Sequence, residues 1–182
     1  MSIELQIKSD VLEVERMLGN MSRQVIDPAL RQAANDSAKK TKTAAGRSIK
    51  TVMGLRRLKP VSRSLRAVTA RPGQVPSAAV VATGAPIPLS EFVGTRATRK
   101  GVKAKPMGRA VFIQSGFRQT VGARNSFWRR KGKRRLPIRE LTGPPVPSVM
   151  VKQVVNKKMN EVALTTFRDR FAGHVARRLR RI

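Results

Sequence analysis

In the segment Glu140-Leu141-Thr142-Gly143-Pro144-Pro145-Val146-Pro147-Ser148-Val149-Met150, one glycine and three prolines fall within five residues. Proline has no backbone N–H and a fixed φ, so this segment is excluded from the interior of a helix and from a central strand. It directly precedes a long segment with apolar residues at helical spacing. We therefore expect an extended, rigid connector that orients the following helix. Its structural residues are Gly143, Pro144, Pro145 and Pro147.

The C-terminal segment is predicted to be one long helix that begins near Val146–Ser148 and runs almost to Ile182. Its apolar residues recur at i, i+4, which is typical of a helix with one buried face. They are Val155, Met159, Ala163, Phe167, Phe171, Val175 and Leu179. We expect this helix to pack on a sheet.

The N-terminal part begins with apolar residues at alternate positions. Ile3, Leu5 and Ile7 alternate with polar residues, which predicts a short strand or an extended arm. Apolar residues then recur from Val11 to Val25 at spacings of three and four. This spacing predicts a first helix.

A second helix is predicted to begin at Asp27-Pro28, where a capping side chain precedes a proline suited to the first helical position. It should continue to about Met53, with Gly54 as its stop. The basic segment Leu55–Ala70 has apolar residues at helical spacing. It is predicted as a third helical segment, with a new start at Pro60.

Residues 77–139 are predicted to be rich in β-structure. The candidate strands are Ala78–Thr83, Arg109–Ser115, one opened by Phe127 and Trp128, and Pro137–Leu141. Between them, Gly94–Gly108 and Arg129–Arg135 are basic and contain glycine, which favours loops or hairpin tips. The prediction is a single α+β domain over 1–182. It comprises a helical portion with an N-terminal arm (1–70), a basic antiparallel β-rich portion (77–141), and the connector with the C-terminal helix (142–182).

The formal net charge of +29 is unevenly distributed along the chain. Ser37–Arg139 holds 26 Lys and Arg against one acid, Glu91, whereas residues 1–36 hold 4 bases and 6 acids. Copies of so positive a surface repel each other unless something anionic neutralises them. The composition thus favours a polyanionic partner, with nucleic acid, an acidic protein surface or a membrane face as the candidates.

Catalytic residues are scarce. The chain has no cysteine and one histidine, His174, which lies among arginines and is interpreted as a surface or packing residue. Glu91 and Glu140 are the acids of the basic region and are expected to neutralise nearby arginines. No glycine-rich phosphate loop occurs. We therefore expect no enzyme, no cofactor and no metal, and the absence of a long apolar run or a secretory signal predicts no membrane association.

The segment Phe127-Trp128-Arg129-Arg130-Lys131-Gly132-Lys133-Arg134-Arg135 combines two aromatic residues with a cationic run. Such a loop can hold phosphates while the indole stacks on a base. The alternative is that Phe127 packs inward and the run is a solvated tip. The candidate contacts to DNA or to an acidic partner are Arg129, Arg130, Lys131, Lys133, Arg134 and Arg135.

Several segments together resemble the phage minor tail protein Z family. They are Gly54-Leu55-Arg56-Arg57-Leu58, Gly108-Arg109-Ala110-Val111-Phe112-Ile113, Gly132-Lys133-Arg134, Leu136-Pro137-Ile138 and Leu141-Thr142-Gly143-Pro144-Pro145-Val146-Pro147. The last is similar to the family's L-x-G-P-S-V-P signature, with Pro145 in place of a small polar residue. The resemblance covers most of the chain, and its specific part runs from Leu136 to Pro147.

The resemblance implies a tail-completion or neck protein, a virion protein that forms a ring at the head-proximal end of the tail. A hexamer is expected from the symmetry of the tail tube, with the tail terminator and the head–tail connector or adaptor as partners and the packaged DNA end as a further one. Assembly would take place in the host cytoplasm. We expect Glu13 and Glu15 to meet the basic portion of a neighbouring subunit. The alternative function is non-specific DNA or RNA binding, as in ribosomal or nucleoid proteins.

Overall fold

The computed structural model describes residues 3–6, 23–73 and 75–180. Its helices and antiparallel strands form an α+β fold, as predicted. The predicted first helix lies outside the described residues except for its last residues before Val25, and Glu13 and Glu15 lie outside them as well. None of the described helices combines the length and the apolar composition that a membrane crossing requires.

The helical elements are α1 (Arg23–Met53), α2 (Lys59–Ser64), α3 (Val146–Met150) and α4 (Gln153–Leu179), with short 3₁₀ turns at Leu89–Glu91 and Pro106–Gly108. The strands are β1 (Ile3–Gln6), β2 (Leu65–Val68), β3 (Ala79–Ala82), β4 (Arg96–Thr98), β5 (Gly101–Ala104), β6 (Val111–Gln114), β7 (Gly116–Val121), β8 (Arg124–Arg130) and β9 (Ile138–Glu140). The described strands form three antiparallel sheets, ordered β1-β3-β2, β4-β5-β6 and β7-β8-β9.

Helix α1 runs through the predicted restart at Asp27-Pro28, so that prediction is wrong. Val25 and Ile26 are buried, and their packing holds the helix N-terminal to the proline although Pro28 cannot donate a helical hydrogen bond. The predicted C-terminal end is confirmed, because α1 ends at Met53 and Gly54 has a φ of 71°. The N–H of Leu55 donates to the carbonyl of Lys50 at 3.0 Å, which is the long hydrogen bond of a Schellman motif.

The segment predicted as a third helical region divides into a helix and a strand. Pro60 lies in the first turn of α2, as predicted, but β2 follows at Leu65. Leu65 and Ala67 alternate towards the core, and they pair with Ala82 and Val80 of β3. The apolar residues of this segment fit both the helix period and the strand period. Pairing with β3 makes Leu65–Val68 a strand.

Gly94–Gly108 was predicted as a loop or hairpin tip, but it contains the two strands β4 and β5, so that prediction is wrong. Val102 and Ala104 are buried, while Lys103 between them is exposed. Lys103 therefore lies on the solvent face of this hairpin. The alternation of buried and exposed residues is hard to recognise in the sequence, because the buried residues are small. The strand predicted at Arg109–Ser115 is present as β6.

The C-terminal segment forms two helices rather than one. On one continuous helix, Val146 and Val155 would lie about two and a half turns apart and so on opposite sides. Both are fully buried, and the break at Val151–Lys152 turns both apolar faces inward.

Helix α4 packs against α1, so the prediction that it packs on a sheet is wrong. Ala33 and Ala38 of α1 are fully buried and small enough for close helix approach. The hydroxyl of Ser37 donates to the carbonyl of Ala163 at 2.7 Å, directly between the two helices.

Candidate functional site

The first half of the proline connector is hydrogen-bonded to a segment far from it in the sequence. The N–H of Leu89 donates to the carbonyl of Leu141 at 2.9 Å, and the N–H of Gly143 donates to the carbonyl of Ile87 at 2.7 Å. Pro88 and Thr142 form an isolated antiparallel bridge between these two contacts. The connector thus continues strand pairing beyond the end of β9.

Gly143 lies directly against the ring of Phe92. A Cβ atom on this glycine would stand 2.5 Å from Cζ and 2.7 Å from Cε2 of that ring. Phe92 is fully buried, so the ring has little freedom to move away. The glycine of the connector is therefore required by close packing.

The prolines occupy the start of α3. Pro145 is the extended residue before the helix, with φ −75° and ψ 158°, and its carbonyl accepts a hydrogen bond from the Ser148 hydroxyl at 2.8 Å. Pro147 is buried in the first turn, where a missing N–H leaves no helical hydrogen bond unmade. Pro144 is half-buried. The connector thus fixes the direction of α3. Helix α4 is a separate helix that begins at Gln153, after α3 has ended.

The predicted cationic residues lie on the β8–β9 hairpin. Arg129 and Arg130 end β8, and Arg129 pairs directly with Arg139 of β9. Lys131 begins the tip, where its N–H donates to the carbonyl of Pro137 at 3.0 Å. All six predicted contacts are exposed, namely Arg129, Arg130, Lys131, Lys133, Arg134 and Arg135.

The two aromatic residues of β8 face opposite sides. Phe127 is buried at 6% exposure, so the alternative in which it packs inward is the observed one. Trp128 is half-buried, and its ring N–H donates to the carbonyl of Gln119 at 2.9 Å. The guanidinium of Arg130 stands 5.9 Å from the ring centroid of Phe117, on the same side as Trp128.

The cations of this hairpin form no ion pair within the described residues, although Glu140 ends β9. Lys158 and Glu161 form an ion pair on the α4 surface, and His174 contacts Asp36 between α4 and α1. Neither involves the hairpin. Like charges directly opposite each other in an antiparallel pair destabilise it, as for Arg129 and Arg139. An anionic partner would remove this repulsion.

The chain's one histidine lies in the interface between α1 and α4. His174 lies 3.1 Å from Asp36 and is half-buried between two helices, where it acts as a packing and hydrogen-bonding residue. No cluster of potential metal ligands occurs among residues 3–6, 23–73 and 75–180.

The sequence-based prediction missed the segment that holds the connector. Ile87, Leu89 and Phe92 are buried and surround Gly143 and Leu141, which are about fifty residues away in the chain. The alternation of proline and apolar residues in Pro86-Ile87-Pro88-Leu89 signals an extended buried segment. No local pattern identifies its partner.

Comparison of the chain with family models, curated proteins and solved structures finds no match in any of the three.

Proposed function

We propose that this chain is a structural virion protein, a phage tail-completion or neck protein that forms a ring at the head-proximal end of the tail and is needed for head–tail joining. The observation that carries the proposal is the segment Leu136–Pro147. Its sequence resembles the signature of the minor tail protein Z family, and its glycine is packed against Phe92 with no space for a side chain. Placement of subunits, and not catalysis, would be its mechanism.

Exposed apolar residues on separate elements support an oligomer. Leu136 lies in the basic hairpin and is 66% exposed, whereas Val151 and Val154 lie at the α3–α4 junction and are 54% and 71% exposed. A ring needs two different surfaces that meet head to tail between neighbours. We propose a homo-oligomeric ring, with a hexamer as the expected size, that contacts the tail terminator and the head–tail connector.

The positive surface would face an acidic partner ring or the end of the packaged DNA. The chain carries no Asp or Glu between Phe92 and Arg139, so the β-rich portion has only Glu91 and Glu140 to neutralise its cations. Anionic partners that match such a surface gain mainly in association rate and in specificity. The proposed location is the tail or neck of the virion, after assembly in the host cytoplasm.

The test is negative-stain imaging of particles from a phage lysate in which this gene is disrupted. We expect filled heads and separate tails that do not join, with joining restored by the wild-type gene in trans. Complementation with Gly132→Ala, a change at an open exposed position, is the matched control for complementation with Gly143→Ala. Normal joined particles from the disrupted lysate would overturn the proposal.

A second candidate function is non-specific nucleic-acid binding, and the exposed cationic hairpin favours it. Backbone binding weakens steeply with salt, by roughly 0.7–0.9 log units per log unit of salt for each phosphate neutralised. Apolar ring contacts should persist at high salt. A salt series that follows oligomer mass and oligonucleotide binding in parallel distinguishes the two functions.

A further inference from the structure

A row of two cations and one aromatic residue crosses the β4-β5-β6 sheet. Arg96 pairs with Lys103, and Lys103 pairs with Phe112, so the three side chains lie on one face in adjacent strands. All three are exposed, Phe112 by 49%. The opposite face carries Val102, which is fully buried. The row is therefore a surface feature of a sheet that is anchored on its other side.

The two cations of this row stand directly opposite each other. A like-charge pair in this position destabilises the sheet unless an anion lies between or above the charges. No ion pair among the described residues involves Arg96 or Lys103. Additional cations lie in the β4–β5 turn at Arg99 and Lys100, and directly after β5 at Lys105. The sheet face is thus built to accept negative charge from outside the chain.

An open cavity of about 390 Å³ adjoins the row. Its lining includes Thr95, Arg96, Lys103 and Lys105. Thr95 is only 6% exposed, and its hydroxyl has no hydrogen-bond partner in the part of the chain that the structure describes. That oxygen is itself shielded from solvent, so the groups that can meet a ligand in the cavity are the exposed cations Arg96, Lys103 and Lys105. Phosphate oxygens are strong acceptors and carry the charge that the three cations require.

The exposed ring of Phe112 adds a second kind of recognition. Neighbouring strands are about 4.8 Å apart, so Phe112 lies about 10 Å from Arg96 across the sheet, with Lys103 between them. Flat aromatic rings on sheet surfaces stack on unpaired bases, whereas the bases of a duplex are already stacked on each other. The combination of phosphate cavity and ring therefore matches a single strand.

We propose that the exposed face of the β4-β5-β6 sheet binds single-stranded nucleic acid. A backbone phosphate occupies the cavity beside Thr95, between Arg96, Lys103 and Lys105, and a base stacks on Phe112. This inference goes beyond the proposed function, because it concerns one subunit and does not require the ring. It also differs from the β8–β9 hairpin, where Phe127 is buried and the ring N–H of Trp128 is hydrogen-bonded to Gln119.

The test uses the full chain and a fluorescently labelled 20-nucleotide thymidine strand, with binding followed by anisotropy. Phe112→Ala should weaken binding by roughly tenfold through the loss of stacking. Lys103→Gln should lower the salt slope by about 0.7. Leu164→Ala, an exposed apolar change on α4, and Arg168→Gln, an exposed cation on the same helix, are the matched controls.

A spectroscopic variant keeps the proposal testable if Phe112→Ala unfolds. Phe112→Trp in a Trp128→Phe background has its one indole at the proposed platform, because the chain has one tryptophan. Its fluorescence should be quenched by the single strand and much less by a duplex of equal length. The proposal is overturned if the indole is not quenched, if Phe112→Ala binds as tightly as the parent, or if polyglutamate displaces the strand as effectively as unlabelled strand does.

Discussion

Replacing Gly143 by alanine should destabilise the fold through a single methyl group. The new Cβ would stand 2.5 Å from the ring of Phe92, well inside the roughly 3.5–4.0 Å at which carbon atoms attract each other. Phe92 is fully buried, and the backbone on the other side is held by the 2.7 Å hydrogen bond from Gly143 to Ile87. Neither partner can move without breaking a contact.

The expected cost follows from the overpacking of a well-packed core, which is typically about 1–3 kcal/mol. Taking about 2 kcal/mol, the Tm of a domain of this size should fall by roughly 4–8 °C. Thermal and urea unfolding followed by circular dichroism would measure both quantities. Gly132→Ala is the control, because nothing lies within 4 Å of that glycine, and its effect should stay within about 0.5 kcal/mol.

A second change at Phe92 tests the cause. Phe92→Leu alone should cost about 2 kcal/mol, since it removes buried ring atoms and leaves a cavity. In the double variant the alanine methyl occupies that space, so the two costs should not add, and the coupling should be about 1–2 kcal/mol. Additive costs, or equal shifts for Gly143→Ala and Gly132→Ala, would refute the steric argument.

Three further outcomes are expected. Ser37→Ala removes the hydroxyl that joins α1 to α4 at Ala163, and it should lower the free energy of unfolding by about 1 kcal/mol. The exposed Ser62→Ala should be neutral, and equal effects of the two changes in urea unfolding would contradict the assigned contact. Gly173→Ala should stabilise α4 by about 0.5–1 kcal/mol, because the glycine is helical, exposed and has no neighbour within 4 Å; a lower Tm would contradict this placement. At +29 net charge, Tm should rise from low to moderate ionic strength as repulsion is screened, and a fall in a scanning-fluorimetry series would show that attractive pairs dominate.

Sequence patterns predicted the helical parts where apolar residues recur clearly at helical spacing and a glycine marks the end of the helix. The end of α1 at Met53–Gly54 was predictable because glycine readily adopts the positive φ that ends a helix. The break before α4 was not predictable, because Val149–Val151 continues the apolar run. No local pattern shows that the apolar faces of α3 and α4 would lie on different sides of one continuous helix. What fixes that break is burial on both sides, at Val146 and at Val155, which depends on where α1 lies.

The β-rich portion was predictable as a class and less so in its strands. Arg96–Thr98 and Gly101–Ala104 have few large apolar residues, so their charge suggested a loop. Their pairing depends on β6, whose carbonyl at Ile113 lies where a Cβ on Gly101 would be. The candidate site was likewise predictable only in part. The cations of the hairpin were visible in the sequence, whereas the buried hydroxyl of Thr95 and its position beside Lys103 arise from the fold.

The distribution of charge across the fold connects these observations. The α1–α4 pair is joined by buried alanines, by Ser37 and by the contact of His174 with Asp36, so its stability does not depend on neutralising the basic surface. The sheets, in contrast, hold like-charged cross-strand pairs at Arg96–Lys103 and Arg129–Arg139. Repulsion in these pairs lowers the stability of the free subunit and is relieved when an anion binds, so binding and stability are coupled. A subunit of this design would be most stable when an anionic partner is in place.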